Sequence, residues 1–176
     1  GAGAIWPCAL DARGRMDPQS VAMQIDKAIN SHRPVMMVVS VAGTTELGMI
    51  DPVDEVNAVL KRYRDQQGLH IWHHVDAAYG GYLCSTLHGD PSGCPLSDHV
   101  TRALKALKHA NSITLDPHKL GFIPYACGAF LVPDATSYSV SSINAPYLEK
   151  QRMYSFPVGL PRSRGLVPQR ERVLFG

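Results

Sequence analysis

Two residues, Lys119 and Asp76, stand where their side chains could do covalent and electrostatic chemistry. Lys119 lies in Asp116-Pro117-His118-Lys119-Leu120-Gly121, directly after the apolar run Ser112-Ile113-Thr114-Leu115 and before further apolar residues. A lysine in such surroundings is expected to lose part of its hydration, which lowers its proton affinity and leaves an amine able to attack an aldehyde. Asp76 lies in His74-Val75-Asp76-Ala77-Ala78-Tyr79-Gly80-Gly81. Small residues there leave room for a flat ligand close to the backbone. A carboxylate beside such a ligand can keep a ring nitrogen protonated and so make the ring an electron sink. Each residue alone has a plainer reading, a turn aspartate or a solvated lysine such as Lys105 or Lys108. His118 reads either as a contact for a phosphate group or as a mere neighbour of Lys119.

For Asp76 and Lys119 to act together, the ends of separate strands must converge. Asp17-Pro18 opens a first helix, with aspartate as cap and proline in the first turn. Val21, Ile25, Ala28 and Ile29 follow at helical spacing. Residues 35–41 are apolar on both parities and β-branched, as in a strand covered on both faces. Asp51-Pro52 repeats the helix-start device. Val53, Val56, Leu60 and Tyr63 form one face of that helix, and Gly68 closes it. Residues 71–75 read as a strand and 83–96 as a Gly/Pro/Ser-rich loop. Ser97 or Asp98 caps a third helix carrying Val100, Ala103, Leu104 and Leu107 on one side. Residues 112–115 and 127–132 are further strands.

Strands separated by helices predict an α/β domain: a mainly parallel sheet with covering helices. The last strand follows its predecessor after a loop too short for a crossover, which makes it the one antiparallel strand. Ligands in such sheets bind beyond the carboxyl ends of the strands. Thr44-Thr45, Asp76 and His118-Lys119 all fall at such ends.

With 176 residues and a formal net charge of +2, the chain fits one domain. No basic cluster points to nucleic acid or to a membrane surface. No apolar run approaches the about 20 residues that cross a bilayer, and residues 1–4 have no signal-peptide character. Cys8, Cys84, Cys94 and Cys127 include no CxxC pair. Their spacing to His88 and His99 matches no compact zinc pattern, so no metal is expected. Free thiols in a reducing cytoplasm are the expectation.

Asp at one strand end and Lys at a later one is the arrangement of a pyridoxal 5'-phosphate (PLP) site. The stretch from Val38 to Val132 resembles the large domain of fold-type I, group II PLP decarboxylases, the family of glutamate, aromatic amino-acid, tyrosine and histidine decarboxylases. The matching motifs are Gly43-Thr44-Thr45-Glu46-Leu47-Gly48, residues 74–81 and residues 112–121. The resemblance implies that Lys119 is the Schiff-base lysine, that Asp76 pairs with the pyridine nitrogen, that Ala78 packs on one ring face and that Thr45 lies close by. It also implies that Tyr147, in Ala145-Pro146-Tyr147-Leu148-Glu149-Lys150, returns a proton to the substrate α-carbon; an ordinary loop tyrosine is the alternative.

The activity so implied is decarboxylation of an L-amino acid to its amine and CO2, and residues 116–125 look most like the microbial tyrosine type. Residues 1–150 are then part of a PLP-binding large domain, with 151–176 a Pro/Arg-rich tail. The resemblance implies a homodimer or a complementing chain, because family members contribute stacking and phosphate-binding groups from segments outside the stretch matched here. Two alternatives stand beside this reading: another fold-type I PLP carbon–carbon lyase, and a non-catalytic or incomplete fragment.

Overall fold

Local signals in the sequence account for most of the element boundaries. The structure, a computed structural model, describes residues 2–88, 96–134 and 174–175. Tyr147, Cys94 and all of the tail but 174–175 lie outside the described residues. Helix α1 (Pro18–Asn30) starts where Asp17 accepts the Gln19 N–H at 2.9 Å. Helix α2 (Val53–Gln67) stops at Gly68, whose left-handed φ of 67° costs a glycine little. Helix α3 (Asp98–Ala106) is capped by the Ser97 hydroxyl. Between α2 and α3, residues 81–88 wind into a 3-10 helix that takes up the first part of the expected 83–96 loop.

The strands are β1 (Met37–Val41), β2 (Trp72–Asp76), β3 (Ser112–Leu115), β4 (Ala129–Leu131) and a two-residue β5 (Leu174–Phe175), lying side by side in that order. β1, β2 and β3 are parallel, and β4 runs antiparallel to β3 and to β5. The expected mainly parallel sheet with one antiparallel strand is therefore present.

One face of this sheet is packed. His73 and Val75 of β2 are buried, as is Ser40 of β1. Val53, Val75, Ala103, Leu104 and Leu107 form a core where α2 and α3 cover that face, while Val21, Ile25, Val56, Leu60 and Tyr63 join α1 to α2. Tyr63 ties the two helices further by donating to the Ala22 carbonyl at 3.1 Å and to Asp26 at 2.6 Å.

The other face departs from expectation. Residues 35–41 read as a strand covered on both sides, yet Met37 is 49% and Val39 46% exposed. Side chains alternate across a strand, and in the described residues helices cover only the face opposite Met37 and Val39. The same open face carries Trp72, His74 and Asp76 of β2 and Thr114 of β3, with Phe130 of β4.

Asp51 is a second departure. It does not cap α2, which begins after Pro52 with no side-chain cap. Its buried carboxylate instead accepts the Met16 N–H and the Val41 N–H, each at 2.7 Å. The aspartate thereby fixes the end of β1 against the N-terminal segment.

Candidate active site

Backbone hydrogen bonds lace the carboxyl ends of β1, β2 and β3 into one rim. Ala42 N–H donates to the Asp76 carbonyl at 2.8 Å, Ala77 N–H to Thr114 at 3.1 Å, and Asp116 N–H to Ala78 at 3.3 Å. Gly80 N–H returns to the Ala42 carbonyl at 3.0 Å. This contact needs glycine: a Cβ on Gly80 would lie 2.4 Å from the Ala42 oxygen, and one on Gly43 2.7 Å from Gly80 nitrogen. After β1 the chain folds into a tight turn in which Thr44 Oγ1 accepts the Met49 N–H at 3.0 Å. Thr45 is exposed at the tip of that turn.

Asp76 closes β2 on the open face. Its Oδ1 accepts the Ala78 N–H at 3.1 Å, and among the described residues Oδ2 has no hydrogen-bond partner. Ala77 is buried and Ala78 half-buried beside it. The rim thus presents a carboxylate oxygen next to small side chains, which suits a flat ring with a protonated nitrogen.

Lys119 follows β3, but its side chain is 36% exposed and its ammonium pairs with Asp116 Oδ2 at 2.9 Å. The sequence led us to expect an enclosed lysine. The apolar residues meant to enclose it, Phe122, Ile123 and Tyr125, are themselves exposed. His118 also has other neighbours: Nδ1 sits against the Cys127 backbone, the ring lies edge-on to Tyr125 at 4.4 Å, and Nε2 is 3.8 Å from Asp116 Oδ2. Asp116 was not read as a site residue, although its position three before Lys119 in a tight turn was the available signal.

A polar seam below the rim also escaped the sequence reading. Trp72 Nε1–H donates to Ser112 Oγ at 2.8 Å, and Ser112 Oγ lies 2.8 Å from His74 Nδ1. His74 Nε2 lies 3.1 Å from Thr114 Oγ1, and its ring stacks on Phe130 at 5.8 Å. Burial pushes the His74 imidazole below its usual range, while the Asp76 carboxylate and a hydrogen bond with the Ser112 backbone act in the opposite direction. Strand alternation, which places His74 and Asp76 on one face, was the signal for it.

The donor set fits PLP: a primary amine, a carboxylate with an open oxygen, and a rim held clear of side chains by Gly43 and Gly80. A groove of about 940 Å³, lined by Trp6, Val21, Ile25, Met37 and Val39 among others, lies elsewhere, between the N-terminal segment and β1.

Residues 7–165 match the model of the pyridoxal-dependent decarboxylase conserved domain. The chain belongs to the pyridoxal-dependent decarboxylase family. Within that family it is 33% identical to L-tyrosine decarboxylase of Levilactobacillus brevis, over 82% of this chain and 26% of that protein. It is 36% identical to L-2,4-diaminobutyrate decarboxylase of Rhizobium meliloti (strain 1021), over 84% of this chain and 26% of that protein. Among solved structures it resembles the glutamate decarboxylase domain of diaminobutyrate-pyruvate transaminase and L-2,4-diaminobutyrate decarboxylase from Vibrio parahaemolyticus. The TM-score is 0.63 at 32% identity, covering 79% of this chain and 26% of that one. The chain therefore spans about a quarter of the length of these decarboxylases.

Proposed function

We propose that this chain carries the cofactor-holding centre of a PLP-dependent amino-acid decarboxylase, which converts an L-amino acid to its amine and CO2. The observation that carries the reading is the rim that ties the Asp76 end of β2 to the Lys119 end of β3 by backbone hydrogen bonds. Aromatic substrates of the tyrosine type are the first candidates, since L-tyrosine decarboxylase is among the relatives.

PLP, when bound, supplies the ring that accepts the electron pair left when the bond to the carboxylate breaks. Lys119 Nζ is the amine that would hold the cofactor in the absence of substrate. Asp76 would hold the ring nitrogen, and its negative charge there would favour the protonated ring that takes up the electron pair. Ala78 would lie against the cofactor, and Thr45 and His118 would contribute polar contacts to it. Tyr147 delivers a proton to the α-carbon after CO2 has left. Residues 1–150 form part of the PLP-binding large domain in this reading. A second subunit or a complementing segment completes the site, and the enzyme acts in the cytoplasm.

The test is an absorption spectrum of the chain with added PLP, before and after borohydride, with the mass of the product. We expect a visible band that borohydride abolishes and PLP fixed to the peptide containing Lys119; both are absent in Lys119→Ala. With no band and no adduct at any PLP concentration, the non-catalytic reading replaces this one. A band without CO2 release from any amino acid points to another PLP carbon–carbon lyase or to an incomplete site.

A further inference from the structure

The seam beneath the rim is a directed chain of hydrogen bonds. Trp72 Nε1 is a donor only, so Ser112 Oγ accepts from it. Ser112 is 1% exposed, and among the described residues the hydrogen bonds given for its hydroxyl are those with Trp72 and His74. A buried hydroxyl proton left without an acceptor is costly, so Ser112 donates to His74 Nδ1. His74 then carries its proton on Nε2 and donates to Thr114 Oγ1. Thr114 in turn is the register partner of Asp76, on the same face of the sheet. The chain therefore runs Trp72, Ser112, His74, Thr114 and stops at the strand position beside Asp76.

We propose that His74 is a positioning residue for Asp76: clamped between the Ser112 and Thr114 hydroxyls, it fixes the β2–β3 seam and couples electrostatically to the Asp76 carboxylate. The coupling itself needs no bound cofactor; its consequence for the ring nitrogen rests on the function proposed above. Phe130 closes one side of the imidazole, and Val39 is its register neighbour on β1. Neither is charged. Among the described residues, the titratable groups acting on His74 or acted on by it are Asp76 and His73, the latter directed to the opposite face. Whatever Asp76 does to proton binding at His74, protonation at His74 does to Asp76 by the same factor. In the proposed site this is how a charge on His74 would reach the ring nitrogen that Asp76 would hold.

The experiment is an NMR titration of the His74 ring in the cofactor-free chain, beside Asp76→Asn and Thr114→Val. Removing the carboxylate should move the His74 midpoint down, because the carboxylate favours the charged ring. Thr114→Val should shift the neutral ring away from the Nε2–H tautomer while the other strand resonances stay in place. A His74 midpoint unchanged in Asp76→Asn, with the variant folded, overturns the proposal. So does a tautomer unaffected by Thr114→Val, which keeps the question decidable if the aspartate variant unfolds. With PLP added, the visible band should carry a pH break at the His74 midpoint that disappears in His74→Gln. Because the first two readouts use no cofactor, they separate failure of this inference from failure of PLP binding.

Discussion

Gly80 shows how far a single missing side chain determines the site. Its nitrogen reaches the Ala42 carbonyl, and a methyl group there meets backbone that has no route of retreat. Gly80→Ala should therefore destabilise the chain by about 1–3 kcal/mol, the usual cost of forcing extra volume into a close-packed contact. It should also reduce capture of PLP by Lys119, because the loops after β1 and β2 separate. Urea denaturation and the borohydride adduct measure the two effects, and wild-type values in both would show that the rim has slack. The sequence exposed the small residues at 77–81, but not that Gly43 and Gly80 meet. That contact joins two loops far apart in the chain, and no local pattern encodes it. Lys119 illustrates the same limit: apolar neighbours in sequence implied enclosure, whereas Phe122 and Tyr125 are themselves largely exposed.

Among the elements, β2 carries different chemistry on its two faces. On the buried face, His73 Nδ1 lies 2.7 Å from Asn57 Oδ1, and Nε2 lies 2.9 Å from the Ser40 hydroxyl. Asn57 Nδ2 donates to the Ala106 carbonyl at 3.2 Å, which turns its oxygen towards the ring. His73 is thus neutral with the proton on Nδ1, accepts from Ser40, and links β1, β2, α2 and α3. Burial first, and the neighbouring His74 second, push its pKa from 6.5 down to about 4. The folded state then binds a proton less readily than the unfolded chain. The contribution is fully present above about pH 6.5 and is lost as pH falls towards 4, amounting to about 3 kcal/mol. Denaturation midpoints should fall over that interval, and His73→Leu should flatten the dependence; an unchanged slope would remove His73 as its source. Alternation placed His73 and His74 on opposite faces, so their separate settings were readable in principle. Their partners Asn57 and Ser112 were not, since each comes from another element. Asp51 is the reverse case. Its local Asp-Pro pattern matched a helix start, but two backbone donors from distant segments claimed the carboxylate.

For the molecule as a whole, the order of helices and strands was legible because each boundary carries a local device: Asp17, Gly68 and Ser97 all act where their types predict. Coverage of the sheet was not legible, because it depends on what packs over a face rather than on the strand's own residues. The open face presents Met37, Val39 and Phe130 between 42% and 49% exposed, with β1 at the sheet edge among the described strands. Exposed apolar side chains of this kind favour association, and an edge strand adds unpaired backbone groups that invite pairing. This chain on its own should therefore associate as its concentration rises, giving sedimentation masses above 19.2 kDa. Met37→Lys with Val39→Lys should hold it at the monomer mass, because both side chains are already half in water and charge there opposes face-to-face packing without disturbing the α2–α3 core. If the parent chain stays monomeric throughout, the open face is not adhesive, and the second subunit proposed for the enzyme must attach elsewhere. If it associates and the lysine pair abolishes PLP capture as well, assembly and cofactor binding share this face.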